Sequence, residues 1–162
     1  MVDHCRRELP WEACGLLAGT GARVAAVLPM PNVAMAPERH FLVDSSSQMR
    51  AFRTMDERGW ELVGIYHSHP RGAAVPSHAD ICQSLYPGVV HVIVSLRWRR
   101  AVVKAYRLVR EAGKCVEVSL ETARSANAPR VRSPRTRSLR GAKGGDTLDA
   151  NRWRDWCVGD RR

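Results

Sequence analysis

The sequence predicts an α/β (α+β) fold, in which one mixed β-sheet is flanked by about two helices and followed by a disordered basic tail. Short apolar runs typical of strands recur through residues 1–123 and alternate with helical patterns, which indicates one layered domain. Beyond residue 123, Ser, Pro, Arg and Gly dominate, and such a composition buries too little apolar area to offset its ordering entropy. We therefore expect a domain at 1–123 and a disordered tail at 124–162.

The first third of the chain predicts one short helix and three strands. Residues 2–10 read as a short helix. The compact apolar run 13–19 predicts a buried strand, and glycines end it. Residues 23–30 predict a second strand, and 39–43 a short third one after a proline-containing loop.

A second helix is predicted after the polar segment 44–47, which offers several N-caps. Met49, Phe52 and Met55 then recur every three residues, as one helical face does. Gly59 is a suitable C-terminal stop, because glycine tolerates the left-handed conformation found there.

The middle of the chain predicts a strand that leads into a short helix. Residues 62–66 are a buried strand with histidines at its C-terminal end. Ser77 is the predicted N-cap of the next helix, with Asp80 at its third position. The predicted inner face of that helix comprises Ile81, Cys82 and Leu85.

Three more strands complete the predicted sheet. Residues 89–96 and 101–109 are strongly apolar, and the short link 97–100 predicts a hairpin between them. Residues 115–120 alternate well enough to form the last strand.

The net charge of +10 is unevenly distributed along the chain. Residues 1–123 carry 15 Lys and Arg against 12 Asp and Glu, whereas residues 124–162 carry 11 against 4. The basicity therefore belongs mostly to the tail, which argues against nucleic-acid binding as the main function. Weak binding of nucleic acid through the tail stays open as an alternative.

The five cysteines are scattered and form no close pair, which argues against a disulfide framework and against a zinc finger. No apolar run reaches the roughly 18 residues that a membrane helix needs. The N-terminus also lacks the apolar stretch of a secretory signal. We expect a cytoplasmic protein that does not contact a membrane.

The segment His67-Ser68-His69-Pro70 and the later Asp80 predict a metal site. On a strand, residues two apart point the same way, so His67 and His69 project together. Two imidazoles and a carboxylate form the ligand set of a catalytic zinc, which keeps its fourth position open for water. Such an ion lowers the pKa of its water to about 7 and so supplies a nucleophile at neutral pH.

Each half of this pattern also has an explanation that involves no metal, because H-x-H occurs by chance and Ser-x-x-Asp is usually a helix cap. A hydrolase needs a base as well, and Glu12 before the first strand is a candidate. Glu8 is a nearby competitor for that role. Cys14 could be imagined as a nucleophile, but a buried thiol is the more common case.

These segments together resemble the JAMM (MPN-plus) metalloproteases, and most closely their short bacterial members, over roughly residues 3–120. The matching motifs are Pro10-x-Glu12-x-Cys14-Gly15-Leu16-Leu17-x-Gly19, Gly64-Ile65-Tyr66-His67-Ser68-His69-Pro70 and Pro76-Ser77-x-x-Asp80. The resemblance implies a curved mixed sheet flanked by helices, layered as in cytidine deaminases, with one catalytic Zn²⁺. Relatives usually have more chain, including a leading strand, before the Pro-x-Glu segment, so the resemblance predicts a missing edge strand or a start further upstream.

Carried onto this chain, the family's zinc ligands fall on His67, His69 and Asp80. Its general acid/base falls on Glu12, and the serine that stabilises the oxyanion falls on Ser77. No other cofactor is implied.

The resemblance implies a hydrolase that acts on the C-terminal Gly-Gly carbonyl of a ubiquitin-like or sulfur-carrier protein. Eukaryotic members cut isopeptide bonds, whereas short bacterial members resemble enzymes that release cysteine from a carrier adduct in cysteine biosynthesis. A non-catalytic MPN scaffold is the alternative, although scaffolds usually lose one of the five site residues. The sequence leaves the oligomeric state open.

Overall fold

The structure, a computed structural model, describes residues 1–86 and 88–121, which form one six-stranded sheet with three α-helices. This mixed α+β architecture confirms the predicted fold class. The elements are α1 (Val2–Arg7), β1 (Cys14–Thr20), β2 (Arg23–Met30), α2 (Ser45–Arg58), β3 (Glu61–His69), α3 (His78–Cys82), β4 (Val90–Ser95), β5 (Val102–Val109) and β6 (Lys114–Val118).

The strand order is β2-β1-β3-β4-β5-β6, so β1 and β3 are neighbours in the sheet. All neighbouring strands are antiparallel except β3 and β4, which are parallel. Parallel neighbours need a crossover connection, and the loop after β3 together with α3 provides it. Because β1 runs antiparallel to β3, Cys14 at its start lies opposite His67 near the end of β3.

Successive strand residues point to opposite sides of the sheet, so each face has apolar side chains to bury. Helix α2 packs against one face and α1 against the other. The cluster on the α2 face comprises Leu16, Ala18, Ala51, Met55 and Ile65. The cluster on the α1 face comprises Cys5, Ala13, Leu17, Tyr66, Val92, Val94 and Ala105. Hydrophobic cores on both faces hold the central strands, and these strands carry the histidines.

Helix α2 begins and ends as the sequence predicts. The Asp44 carboxylate accepts a hydrogen bond of 2.8 Å from the backbone N–H of Ser47, so Asp44 is the N-cap. Gly59 follows the helix with φ 63°. Met55 is buried, but Met49 is 51% exposed, so the buried stripe of α2 is narrower than the sequence predicts.

The strand predicted at residues 39–43 is wrong, since this segment contributes only an isolated bridge between Val43 and Asn32. The Asn32 side chain forms hydrogen bonds with backbone groups of this segment that would pair with a neighbouring strand in a sheet. Its Nδ2 donates to the carbonyl of His40, and its Oδ1 accepts the N–H of Leu42, each at 3.0 Å. Because one side chain satisfies both backbone groups, no ladder is needed.

The predicted inner face of the third helix is correct for Ile81 and wrong for Leu85. Helix α3 ends at Cys82, and Leu85 beyond it is 67% exposed. Ile81 is buried.

The predicted disordered tail, 124–162, lies outside the described residues. The domain boundary after residue 123 stays a prediction for the same reason. Among the described residues, no helix has the length and apolar character needed to cross a membrane.

Candidate active site

The structure brings His67, His69 and Asp80 together at the C-terminal end of β3. The Nε2 atoms of the two histidines are 3.1 Å apart. Asp80 Oδ1 lies 3.4 Å from His67 Nε2, and Asp80 Oδ2 lies 3.5 Å from His69 Nε2. Among the described residues, these three form the group of potential ligands that can share one metal ion.

These distances fit a tetrahedral metal ion. Two ligand atoms at zinc–ligand distances of 2.0–2.1 Å are separated by roughly 3.3 Å when the angle between them is tetrahedral. The three separations of 3.1, 3.4 and 3.5 Å lie around that value. Two imidazole nitrogens and one carboxylate oxygen also form a donor set that zinc accepts.

A hydrogen bond sets the tautomer of His69. Its Nδ1 lies 2.7 Å from the carbonyl oxygen of Ala73, and because a carbonyl only accepts, Nδ1 carries the proton. In the neutral ring this leaves the lone pair on Nε2, the atom that faces Asp80 and His67. A carbonyl behind a ligating histidine is the usual way to orient such a ring.

His67 is held by packing. Its side chain is fully buried, and the ring of Phe41 stacks on it with centroids 4.5 Å apart and planes 19° apart. Its Nδ1 has no hydrogen-bond partner among the described residues. Phe41 lies in the segment wrongly predicted as a strand, and its ring helps to hold the His67 ring in place.

The loop between β3 and α3 is fixed by three consecutive backbone carbonyls, each of which accepts a hydrogen bond from a side chain of the sheet. Ser95 Oγ donates to the carbonyl of Gly72 at 2.6 Å, His69 to Ala73, and Tyr106 Oη to Ala74 at 2.7 Å. The Gly72 backbone lies close to the His69 side chain, because a Cβ added to Gly72 would come within 3.2–3.4 Å of that side chain. These hydrogen bonds fix the loop that leads from the histidines to Asp80.

A reciprocal capping box positions Asp80. Asp80 Oδ2 accepts the backbone N–H of Ser77 at 2.6 Å, and Ser77 Oγ accepts the backbone N–H of Asp80 at 3.2 Å. The predicted N-cap is therefore confirmed. The same two residues that begin α3 place one carboxylate and one hydroxyl at the site.

Glu12 reaches the site because its neighbour Ala13 is tied to the end of β3. Ser68, on the opposite face from the histidines, accepts the N–H of Ala13 through Oγ at 2.8 Å, and its own N–H donates to the carbonyl of Ala13 at 2.9 Å. Asn32 Nδ2 donates to the Glu12 carbonyl, and the Glu12 N–H donates to Pro37. The backbone on both sides of Glu12 is thus fixed.

A cavity of about 440 Å³ contains the predicted catalytic residues. It is lined by Pro10, Glu12, Glu38, Arg39, His69, Pro70, Arg71, Gly72 and Ser77. Glu8 does not line it; this competitor lines a second cavity of about 310 Å³, which Glu12 also borders, and its carboxylate lies 3.7 Å from His4 Nε2. The structure therefore brings Glu12, and not Glu8, into one cavity with His69 and Ser77.

Burial and neighbouring charges shift the pKa values of the site. Burial raises the pKa of the Glu12 carboxyl to about 7, an effect that His69 opposes and Asp80 reinforces. Burial lowers the pKa of His67. Burial would also lower that of His69, but Asp80 and the Ala73 carbonyl outweigh it and raise this pKa. Burial would raise the pKa of Asp80, but the neighbouring His67 and His69 and the backbone N–H of Ser77 outweigh it and hold this pKa far below the usual range.

Cys14 is a buried structural thiol, as the sequence analysis favours. It is fully buried, and burial raises the pKa of its thiol to about 12. A nucleophilic cysteine needs a lowered pKa and access to solvent.

Sequence reasoning missed five supporting residues of the site. The sequence indicated only the position of Ser68, because side chains alternate along a strand and a residue between the two histidines points to the opposite face. The others come from distant loops and strands, and their roles depend on tertiary contacts. The missed residues are Asn32, Phe41, Ser68, Ser95 and Tyr106.

The family described as prokaryotic homologs of the JAB domain matches residues 1–109 of the chain. The chain belongs to this family. The match spans α1 to β5 and includes the metal-ligand cluster, Glu12 and Ser77. It bears out the resemblance to short prokaryotic JAMM-type hydrolases.

Relatives of this JAB-domain chain are cleaving enzymes. A protein named CysO-cysteine peptidase from Mycobacterium tuberculosis is 38% identical over 112 residues, covering 67% of this chain and 76% of the relative. A desampylase from Haloferax volcanii is 39% identical over 101 residues, covering 59% and 73%. A probable TtuB-protein conjugate cleaving protease from Thermus thermophilus is 42% identical over 78 residues, covering 48% and 52%.

Solved structures share the fold of the JAB-domain chain. A Desulfitobacterium hafniense protein determined in solution superposes with a TM-score of 0.63 at 35% identity, covering 73% of this chain and 82% of its own. A Salinibacter ruber protein gives a TM-score of 0.57 at 27% identity, covering 79% and 87%.

Proposed function

We propose that this chain is a zinc-dependent peptidase that cleaves the bond after the C-terminal Gly-Gly of a sulfur-carrier or ubiquitin-like protein. One observation carries the proposal: three ligand atoms spaced for one ion lie beside a cavity that Glu12 and Ser77 share with His69. The names of the relatives, which act on CysO–cysteine and on TtuB conjugates, support the substrate class.

In this proposal His67, His69 and Asp80 hold the zinc. A zinc ion so held supplies a Lewis acid for the scissile carbonyl and lowers the pKa of a bound water. His69 would bind the ion in its neutral form, with the proton on Nδ1 and the lone pair on Nε2.

Glu12 is the proposed general base and acid. A base works best when its pKa lies near the working pH, and burial raises the pKa of Glu12 to about 7. Glu12 takes a proton from the attacking water and passes it to the leaving nitrogen. No side chain among the described residues hydrogen-bonds to its carboxylate, so both oxygens stay free for that transfer.

Ser77 is the proposed oxyanion donor. Its Oγ accepts the N–H of Asp80, and a hydroxyl that accepts one bond still has its own O–H to donate. Ser77 lines the cavity, so that proton can reach a developing negative charge on the scissile carbonyl oxygen.

The proposed place of action is the cytoplasm. The four cysteines among the described residues, Cys5, Cys14, Cys82 and Cys115, are all free, and free thiols persist where the medium is reducing.

The test compares wild type with Glu12→Gln. Zinc content is measured on purified protein, followed by cleavage of a Gly-Gly-terminated carrier–cysteine adduct. We expect Glu12→Gln to retain zinc, because Glu12 is not a ligand, and to lose about 10²–10⁴ in rate. Glu8→Gln is the matched control and should keep both properties, because Glu8 does not line the catalytic cavity.

Two results would contradict the proposal. Unchanged cleavage by Glu12→Gln would remove Glu12 from the mechanism. A wild-type protein that never takes up zinc would favour the scaffold alternative.

A further inference from the structure

We infer that Arg39 and Arg71 bind the α-carboxylate of the amino acid that is released, so that the site selects a leaving group ending in a free carboxylate. The inference rests on the proposed function and deepens it. It assigns a chemical basis for preferring a carrier–amino acid adduct over an isopeptide.

Two unpaired guanidinium groups border the catalytic cavity. Arg39 and Arg71 line it together with Glu12 and His69. Among the described residues, neither arginine side chain makes an ion pair or a hydrogen bond. Both side chains are exposed at the cavity, so each guanidinium group is free to turn toward a ligand bound there.

The backbone beneath both arginines is fixed, although their side chains are solvent-exposed. The N–H of Arg39 donates to the carbonyl of Ala36 at 3.1 Å. Arg71 precedes Gly72, whose carbonyl accepts the hydroxyl of Ser95. The two guanidinium groups therefore extend from anchored positions and need only side-chain ordering to bind a ligand.

The chemistry of the leaving group places a carboxylate within their reach. Glu12 protonates the leaving nitrogen, so that nitrogen lies in the cavity that the arginines line. In a released α-amino acid, the carboxylate carbon is two bonds from this nitrogen. Guanidinium groups match carboxylates with two parallel hydrogen bonds, which gives geometric selectivity as well as attraction.

Glu38 is the remaining acidic side chain that lines the cavity. No ion pair joins it to Arg39 or Arg71 among the described residues. While Glu12 holds the proton taken from the attacking water, Glu38 is the one ionised carboxylate in the cavity lining against the two arginines, which leaves an excess of positive charge there. An isopeptide places neutral lysine methylenes and backbone amides there, and these gain nothing from an excess of positive charge.

The test uses two conjugates of one Gly-Gly-terminated carrier protein, which differ only in the last group. One ends in cysteine with a free carboxylate and the other in cysteine amide. We expect wild-type zinc protein to show a kcat/KM about 10- to 100-fold higher for the free acid, as charge-assisted hydrogen bonds imply.

The variant R39Q/R71Q should lose that preference, because its kcat/KM on the acid falls to the value it shows on the amide, and it should retain zinc. R53Q is the matched control, because Arg53 is an exposed arginine of α2 that lines neither cavity, and it should keep the preference.

The outcomes separate the two hypotheses. Equal wild-type rates on acid and amide would overturn the carboxylate site and leave the proposed hydrolase intact. A preference that survives in R39Q/R71Q would also overturn it. Cleavage of neither conjugate by zinc-loaded wild type would overturn the proposed function and this inference with it.

Discussion

Ser77 contributes to the site in two ways at the scale of a single residue. Its Oγ caps α3 by accepting the N–H of Asp80, and its hydroxyl lines the cavity that Glu12 shares. Removing the hydroxyl therefore affects stability and, under the proposed mechanism, catalysis. The two effects are separable because the chain has a second helix capped in a similar way by Asp44.

We predict that Ser77→Ala lowers kcat by about 10²–10³, the cost of one oxyanion donor, and lowers the free energy of unfolding by about 1 kcal/mol through the lost cap. Asp44→Ala should lose a similar amount of stability and keep its activity. Cleavage assays, thermal melts and zinc content check both variants. Equal activity of the two variants would assign Ser77 a capping role alone.

At the scale of elements, the crossover from β3 to α3 depends on the neighbouring strands for its shape. Ser95 at the end of β4 and Tyr106 in β5 hold the carbonyls of Gly72 and Ala74. His69 holds the carbonyl between them. Because Asp80 enters the site from the far side of this loop, β4 and β5 help to set the geometry of the candidate metal ligands.

We predict that Tyr106→Phe lowers zinc affinity on the order of 10-fold, as is usual for groups that support metal ligands. The change removes the hydroxyl that holds Ala74 and leaves a carbonyl unsatisfied. Tyr66→Phe is the matched control, because its hydroxyl contacts His4 at 2.9 Å on the opposite face of the sheet. Competition titrations with a zinc chelator measure both, and equal zinc affinities would show that the loop needs no such support.

At the scale of the whole molecule, most of the excess basic charge and the predicted site residues lie in different parts of the sequence. The five predicted site residues all lie before residue 81, whereas the excess of basic residues lies beyond residue 123. We therefore expect any phosphate-driven binding of nucleic acid to depend mainly on residues 124–162, which contain none of the predicted site residues.

We predict that a chain truncated after residue 123 keeps its zinc content and cleavage rate, because the six described strands of the sheet all precede that point. The full chain should bind nucleic acid weakly and lose this binding steeply as salt rises, and the truncated chain should not bind. Filter binding at several salt concentrations and the cleavage assay measure the two properties. Loss of cleavage on truncation would tie the tail to catalysis.

Prediction from sequence succeeded where the signal is local and failed where a partner is distant. The N-caps Asp44 and Ser77 are read from a few neighbouring residues. Segment 39–43 and Leu85 were misassigned, because apolar residues there suggested regular structure. In segment 39–43, the side chain of Asn32 satisfies backbone groups from another loop.

The sequence by itself determined the types and the grouping of the candidate ligands, because a strand places His67 and His69 on one face and a helix cap places Asp80 beside Ser77. Only the tertiary structure decided that Glu12 enters the same cavity and Glu8 does not. That choice depends on a contact between residues 55 positions apart, Ala13 and Ser68, which forms only when β1 and β3 pair in the observed register. Because β2 and α2 lie between β1 and β3 in the chain, this pairing is fixed by the packing of the whole core, and no short motif encodes it.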